Sequence, residues 1–200
     1  DPLDRRRVFI SYTDMGLFRS EDGGESWTSS TAGVPTRWRN TTYWVDFDPD
    51  VKGLMWGAFA GTHDLPRPKM WRRTDPDRFR GGVGVSTDGG RTWTPSNAGM
   101  PETAVTHVLV DPESPKQRRT LYACAFGRGV FKSTDGGRSW SVKNQGLEQK
   151  QPFAWRITRE QCFQDGTVVS RLNPTAADAA ITIQADIGVQ VVNQRFARAL

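Results

Sequence analysis

The sequence predicts an all-β protein made of repeated β-hairpins, and three observations support this prediction. An eight-residue pattern, Ser-x-Asp-Gly-Gly-x-[Ser/Thr]-Trp, occurs three times, at 20–27, 86–93 and 133–140. In each copy a glycine follows the tryptophan six residues later, as Gly33, Gly99 and Gly146. Short strand-like runs lie on both sides of each copy, so the pattern occupies the turn of a hairpin. A unit that repeats in phase in this way forms successive copies of one supersecondary element.

The chemistry of the pattern explains why it forms a turn. The aspartate accepts hydrogen bonds from backbone amides a few residues further on, and the paired glycines adopt the positive φ angles of a tight reversal. The tryptophan supplies a large apolar surface for packing between neighbouring sheets. The pattern therefore predicts structural roles for Asp22, Asp88 and Asp135 in the turns and for Trp27, Trp93 and Trp140 in the packing.

The remaining strands follow from the phase of the repeats. Residues 7–30 contain three strands of a first unit that lacks an inner strand. Two four-stranded units follow, whose inner strands are predicted at 43–48 and 105–110 and end in Asp-Pro turns. The second strands of these two units are predicted at 54–60 and 120–126.

A further unit is predicted after the third copy, with an inner strand at 153–158 and a turn and second strand at 165–170. Beyond it, residues 173–200 contain neither the pattern nor a tryptophan. This segment is predicted to be an irregular tail or closing strands, and a helix and strands both remain open within it. The sequence thus divides into repeated units at 1–172 and a C-terminal segment at 173–200.

The three copies resemble the Asp-box (BNR) repeat of sialidase-like and xyloglucanase-like β-propellers, and the resemblance covers about residues 7–159. It implies a β-propeller built from four-stranded antiparallel blades. In that family the box lies on the turn between the third and fourth strands of a blade, away from the active site. Propellers have roughly four to eight blades, and this chain length predicts about four. The ring either closes within the chain or is completed by another copy, as a homo-oligomer.

The composition fits a globular all-β protein. The chain is 36% hydrophobic and contains 20 Gly, 12 Pro and 8 Trp, and no apolar run approaches the roughly 18 residues of a membrane span. The net charge of +5 comes with clustered arginines, which suit an acidic glycan, a carboxylated small molecule or nucleic acid. A solvated surface is favoured over nucleic acid, because no nucleic-acid-binding module accompanies the charge.

The two cysteines, Cys124 and Cys162, are too few for a disulfide framework or a metal site. Cys124 is expected to be a small buried residue of a second strand, with a Cys124–Cys162 bridge between adjacent blades as the alternative. The resemblance implies export from a bacterial cell, so the expected location of the protein is extracellular or periplasmic.

Candidate functional residues lie on the loops at the ends of the blades opposite to the boxes. The most informative loop is 62–82, because 40 residues separate Asp48 from Asp88 but only 24 separate Asp111 from Asp135. An insertion of that length in a compact domain is often functional. These loops carry the candidate catalytic residues Asp14, His63, Asp64 and Glu102, and the candidate substrate-binding residues Arg39, Arg67, Arg128, Trp38 and Trp71.

Asp14 is the leading catalytic candidate. The segment Thr13-Asp14-Met15-Gly16 resembles the Thr-Asp-x-Gly-Gly-x-Tyr-Arg stretch of xyloglucan-cleaving propellers, which contains one of two catalytic carboxylates, although Leu17 replaces the second glycine. Inverting glycosidases need two carboxyl groups about 6.5 to 9.5 Å apart. Asp64 and Glu102 are the candidate partners, and the sequence leaves both open. The alternative for Asp14 is a structural role in the turn.

Three functions follow as hypotheses. The first is hydrolysis of a glycan by paired carboxylates, which needs no cofactor. The second is calcium-dependent hydrolysis of a lactone or ester, with Ca²⁺ held by rim acids such as Asp14, Asp64 and Glu102. The third is a binding or scaffolding propeller without catalysis. Sialidase activity is disfavoured, because the chain has no Arg-Ile-Pro motif.

Overall fold

The computed structural model describes residues 1–63, 65 and 78–145 with their side chains, and the backbone of five strands beyond them. Within these residues the regular elements are β-strands, apart from short 3₁₀ turns such as Thr36–Trp38. The strands pair antiparallel, with one parallel contact between Gly16 and Thr41. The predicted all-β class is therefore confirmed.

The first blade has three strands: β1 (Val8–Tyr12), β2 (Gly16–Ser20) and β3 (Thr28–Ser29). Both β1 and β3 pair antiparallel with β2. Among the described residues no inner strand pairs with β1, which agrees with the prediction for this blade. The edge of β1 that faces the inner position therefore carries no strand in the described part of the chain.

The second and third blades each have four strands in sequential order. The second contains β4 (Thr41–Phe47), β5 (Met55–Ala60), β6 (Gly81–Ser86) and β7 (Thr94–Pro95). The third contains β8 (Val105–Asp111), β9 (Thr120–Ala125), β10 (Gly129–Ser133) and β11 (Ser141–Val142). Both inner strands, β4 and β8, have a β-bulge at matching positions. The two blades are thus copies of one backbone plan.

The backbone beyond residue 154 forms two further antiparallel groups. Strand β12 (Trp155–Arg159) pairs with β15 (Ile181–Ile187), which pairs with β16 (Gln190–Phe196). Strands β13 (Gln161–Gln164) and β14 (Thr167–Ser170) form a separate hairpin. The prediction that the strand within 165–170 pairs with 153–158 was wrong: β14 pairs with β13, from which only two residues separate it in the sequence, and β12 pairs with β15. The C-terminal segment contains strands, whereas a boundary at residue 172 stays a prediction.

Apolar side chains from adjacent blades form the core. One cluster joins the first and second blades through Leu17, Phe59 and Trp93, and another joins the second and third through Trp56 and Trp140. Trp93 and Trp140 are 3% and 5% exposed, whereas Trp27, the tryptophan of the first box, is 38% exposed. The difference follows from position, since no blade precedes the first box among the described residues.

Each box closes its own turn with the same set of hydrogen bonds. In the second box the Ser86 hydroxyl donates to Asp88 Oδ1 over 2.8 Å and accepts from the amide of Gly90 at 2.8 Å. Asp88 also accepts from the amide and the hydroxyl of Thr92, at 2.9 and 2.6 Å. Matching bonds surround Asp22 and Asp135. The aspartates thus bind their own hairpins.

A repeated interblade contact joins each box to the blade before it. The amide of Trp93 donates to the carbonyl of Ala32 over 2.9 Å, and the amide of Trp140 donates to that of Ala98 over 2.8 Å. The hydroxyls of Ser30 and Ser96 donate to box carbonyls of the following blade. The glycine after each alanine makes this approach possible, since a Cβ on Gly99 would lie 2.4 Å from the Trp140 carbonyl oxygen.

A buried ion pair also joins the second and third blades. The guanidinium of Arg119 donates to both carboxylate oxygens of Asp48, at 2.7 and 2.8 Å, and to Asp50 Oδ2 at 2.5 Å. Burial on its own raises the pKa of Asp48, but the bonds from Arg119 and two backbone amides outweigh it and lower that pKa. Asp48 and Asp50 therefore bind the second blade to the third.

The interblade contact predicts unequal effects of two glycine substitutions. Gly99→Ala and Gly136→Ala both place a side chain at positive φ, +83° and +77°, which costs about 1 kcal/mol each. A Cβ on Gly99 would also clash with the carbonyl oxygen of Trp140, whereas nothing lies within 4 Å of a Cβ on Gly136. We expect Gly99→Ala to lower the free energy of unfolding by about 3 kcal/mol and Gly136→Ala by about 1 kcal/mol in urea titrations. Equal losses would contradict the contact.

The boxes predict a loss of stability in acid. Burial alone raises the pKa of Asp88, but hydrogen bonds from Thr92 and Ser86 outweigh it and lower the pKa from 3.8 to about 2. The unfolded chain therefore binds the proton first, so the stabilisation is complete above about pH 4 and is lost as the pH falls towards about 2. We expect Asp88→Asn to be less stable at pH 7 and to have a shallower decline between these values in urea unfolding. An unchanged slope in the variant would argue against this assignment.

Candidate functional site

Asp14 lies on the turn between β1 and β2, at the end of β2 opposite to the first box. Its backbone φ is +70°, the only positive value for a non-glycine residue in the described part of the chain. At the matching position of the third blade, between β9 and β10, the residue is Gly127 with the same φ of +70°. The turn therefore favours glycine, and this chain has an aspartate there. Strained positions of this kind cluster at functional sites.

The carboxylate of Asp14 contacts His63, which lies 49 residues away in the sequence. Asp14 Oδ1 is 2.5 Å from His63 Nδ1 and 3.4 Å from Nδ2 of Asn40. The hydrogen bond from His63 is the main cause that lowers the pKa of Asp14 below its ordinary value. The two side chains are 54% and 37% exposed. The arrangement is an ionised carboxylate that an imidazole orients and solvent reaches.

The long loop that carries His63 is attached to the core at both ends. Leu65 and Phe79 are buried in one apolar cluster with Phe126. The rings of Phe79 and Phe126 meet edge to face, with their centroids 5.0 Å apart. The hydroxyl of Tyr43 lies within hydrogen-bond distance of the backbone on either side of His63. The first residues of the loop are therefore part of the packed blade.

Glu102 lies on the connection between the second and third blades and binds cationic and polar side chains from two other segments. Its carboxylate accepts hydrogen bonds from Nε and Nη2 of Arg37 and, over 2.8 Å, from Nε1 of Trp38. Nη1 of Arg80 lies 3.8 Å away. The bonds from Arg37 are the main cause that lowers the pKa of Glu102. Glu102 is thus a fixed anion that joins three segments of the rim.

The predicted substrate-binding residues have different environments. Trp38 is 4% exposed and packs in the cluster between the first two blades, so its ring offers no stacking surface. Arg39 is exposed, and its Nε donates to the carbonyl of Val34 over 2.6 Å. Arg128 is exposed on the turn between β9 and β10. Three further candidates lie outside the described residues: Asp64, Arg67 and Trp71.

Asn40 and Tyr43 contact the site and were not singled out by the sequence, nor was Trp44, the neighbour of Tyr43. Tyr43 lies in the β-bulge of β4, where the pairing register shifts between Thr42 and Trp44. Trp44 is exposed and stacks on His107 of β8, with ring centroids 4.8 Å apart. Aligning the two inner strands on their Asp-Pro turns would have shown that Tyr43 and Trp44 match Thr106 and His107, and that the residue at the first position is much larger in β4.

Other predictions concern a metal, a disulfide and the membrane. Within the described residues, no three His, Cys, Asp or Glu side chains form a group that could hold a metal ion. Cys124 is buried, and the side chain of Cys162 lies outside the described part. No helix found in the described ranges has the length and apolar character needed to cross a bilayer. Calcium and the disulfide therefore stay predictions.

The turn at Asp14 predicts opposite effects of two reciprocal substitutions. Asp14→Gly removes a side chain from a left-handed position and should raise the free energy of unfolding by about 0.5 kcal/mol, while Gly127→Asp should lower it by about 1 kcal/mol. Urea unfolding of both variants at pH 7 measures these changes. If Asp14→Gly were the more destabilising of the two, Asp14 would be a structural residue of the turn.

Comparison with known proteins agrees with this architecture. The BNR/Asp-box repeat family model matches residues 85–95, and no curated protein matches the chain. A GH74 enzyme from Niastella koreensis matches 96% of this chain and 29% of its own length, with a TM-score of 0.54 and 18% identity. At that identity the likeness concerns the fold alone.

Two further solved structures match with lower scores. A GH74 xyloglucanase from Xanthomonas campestris has a TM-score of 0.40 and 15% identity, over 98% of this chain and 34% of its own. YCF48 from Cyanidioschyzon merolae has a TM-score of 0.48 and 14% identity, over 98% of this chain and 54% of its own. The chain thus spans at most about half the length of these structures. The second box therefore matches the Asp-box repeat, and the antiparallel blades have the fold of a β-propeller.

Proposed function

We propose that this chain hydrolyses a glycan at the rim around Asp14. The observation that carries the proposal is the backbone of Asp14, which holds an exposed carboxylate in the left-handed region where the third blade has Gly127. A glycine would fulfil the demands of the turn at lower cost. An aspartate in that position therefore serves something other than the turn, and its contact with His63 shows that a second polar side chain is oriented towards it.

In this proposal Asp14 acts as the general base. Its lowered pKa keeps the carboxylate ionised, so it accepts a proton from a water molecule that attacks the anomeric carbon. The second carboxyl group of an inverting pair must instead be protonated, because it donates a proton to the leaving oxygen. Catalysis by such a base contributes about 10² to 10⁴-fold to the rate.

The donors around Glu102 influence the choice of the acid. Arg37, Trp38 and Arg80 all favour its ionised form, which suits a group that shapes the rim or binds sugar hydroxyls. An acid needs a raised pKa, and these contacts oppose it. Asp64, next to His63 in the sequence, is therefore the preferred acid in this proposal.

The fold and the motif support the substrate class from separate directions. The blades are similar to those of a GH74 enzyme over most of this chain, which supports a rim of loops opposite to the boxes. The segment 13–16 resembles the carboxylate-bearing stretch of xyloglucan-cleaving propellers, which supports a β-glucan. The chain spans 29% of the length of that enzyme. That the rim of this chain is sufficient for hydrolysis is therefore part of the proposal.

A glycan-binding role without hydrolysis is the second candidate. It is favoured by the state of Glu102, whose donors hold it as an anion. Among the candidate carboxylates that the structure describes, Asp14 is then the one suited to catalysis, whereas hydrolysis by an inverting mechanism needs two. The same rim would then bind a glycan through hydrogen bonds and leave it intact.

A panel of substrates tests the proposal: xyloglucan, an unbranched β-glucan, a sialoside and an acyl lactone, each with and without a chelator. We expect hydrolysis of a β-glucan that a chelator does not affect, and a loss of about 10³-fold in Asp14→Asn. Glu25→Gln is the matched control, since Glu25 is exposed at the opposite end of the same blade, and it should retain full activity.

The other outcomes identify the alternatives. Lactone hydrolysis that a chelator abolishes would support the calcium-dependent enzyme. Slower migration of the wild-type protein in a gel that contains xyloglucan, without release of sugar, would support the binding role. Full β-glucan activity in Asp14→Asn would contradict the role of Asp14 as the general base but would still support a β-glucan as the substrate.

A further inference from the structure

We propose that Tyr43 is a positioning residue that sets His63 against Asp14, an inference that rests on the proposed function of Asp14. The hydroxyl of Tyr43 donates to the carbonyl of Thr62 over 3.1 Å and accepts from the amide of Leu65 over 3.2 Å. Thr62 directly precedes His63, and Leu65 follows it by two residues. One side-chain oxygen thus holds the backbone on both sides of the imidazole.

The β-bulge in β4 explains how a residue of the inner strand reaches this loop. The pairing register between β4 and β5 shifts between Thr42 and Trp44, which makes Tyr43 the extra residue of the bulge, and a bulge re-aims the side chain of its extra residue. In the third blade the same bulge contains Thr106, whose hydroxyl lies 3.5 Å from the carbonyl of Cys124 in its own sheet. The loop there is a short turn around Gly127, with no His63 equivalent to support.

The ring of Tyr43 is anchored in the core, which makes its hydroxyl a fixed point. It packs against both the cluster shared with the third blade and the cluster that contains Leu65 and Phe79. Leu65 is fully buried in the second of these clusters. The phenol and the leucine thus restrain the same short segment, one through hydrogen bonds and one through packing.

This restraint matters because the contact between His63 and Asp14 crosses two blades. Asp14 belongs to a turn of the first blade, and His63 belongs to a loop of the second. A side chain on an unrestrained loop loses conformational entropy when it forms such a contact. The contacts from Tyr43 reduce that cost, so the imidazole is placed before a substrate arrives.

The experiment measures Asp14 itself, without a substrate. The carbon-detected NMR titration of the Asp14 carboxyl group, assigned by its loss in Asp14→Asn, reports the hydrogen bond from His63. We expect the pKa of Asp14 to rise towards its ordinary value in Tyr43→Phe, which keeps the ring and removes the hydroxyl. His63→Asn should produce the same rise, and Tyr43→Phe added to His63→Asn should produce no further change, because Tyr43 acts through His63.

Thr106→Val is the matched control, since it removes the hydroxyl at the corresponding bulge and should leave the Asp14 titration unchanged. A second measurement uses the unaltered protein: hydrogen exchange of the Leu65 amide should be slowed by about tenfold or more relative to an unprotected peptide. The proposal is overturned if the Asp14 titration is the same in Tyr43→Phe as in wild type, or if the Leu65 amide exchanges freely. A failure to hydrolyse glycans would instead overturn the proposed function, because neither measurement depends on turnover.

Discussion

The structure depends on the close approach between the glycine that follows each box tryptophan and the backbone of the next tryptophan. Gly33 and Gly99 have no Cβ, so the amides of Trp93 and Trp140 reach the carbonyls of Ala32 and Ala98. This backbone contact sets the spacing between adjacent blades, and at that spacing the indole rings of Trp93 and Trp140 are buried. It also brings the loops at the other ends of the blades close enough for Asp14, His63 and Glu102 to contact residues of neighbouring segments.

Much of this architecture could be predicted from the sequence, because its causes are local and repeated. The Ser-x-Asp-Gly-Gly pattern closes a turn with bonds inside eight residues, and the strand alternation around it has a period of two. In-phase glycines then reveal which copies correspond. The first blade, with three strands and no described inner strand, followed from the same phase. Beyond the third box, where no further box fixes the phase, the strand within 165–170 was assigned to the wrong neighbour.

The candidate site was less predictable, because its contacts join residues that are far apart in sequence. Glu102 and Arg37 are 65 residues apart, and only the paths of two connections bring them together. The place of Trp38 on a predicted rim loop made it a candidate for substrate binding, but the residue ends the 3₁₀ helix Thr36–Trp38 and is buried in the core. The left-handed backbone of Asp14 could have been inferred by aligning its turn with the Gly127 turn, a comparison within one chain.

The interblade contact has a direction, since one blade provides an alanine carbonyl and a serine hydroxyl, and the next blade provides the backbone amide of its tryptophan and a box carbonyl. Trp27 and the side chains of Val8, Ile10 and Tyr12 remain exposed on the side of the first blade away from the second. A sheet added there would have to supply the glycine segment and not the box. Duplications and deletions of one whole repeat therefore preserve every junction, whereas changes by part of a repeat leave two mismatched ends. Such a chain can gain or lose whole blades during evolution while each surviving junction stays the same.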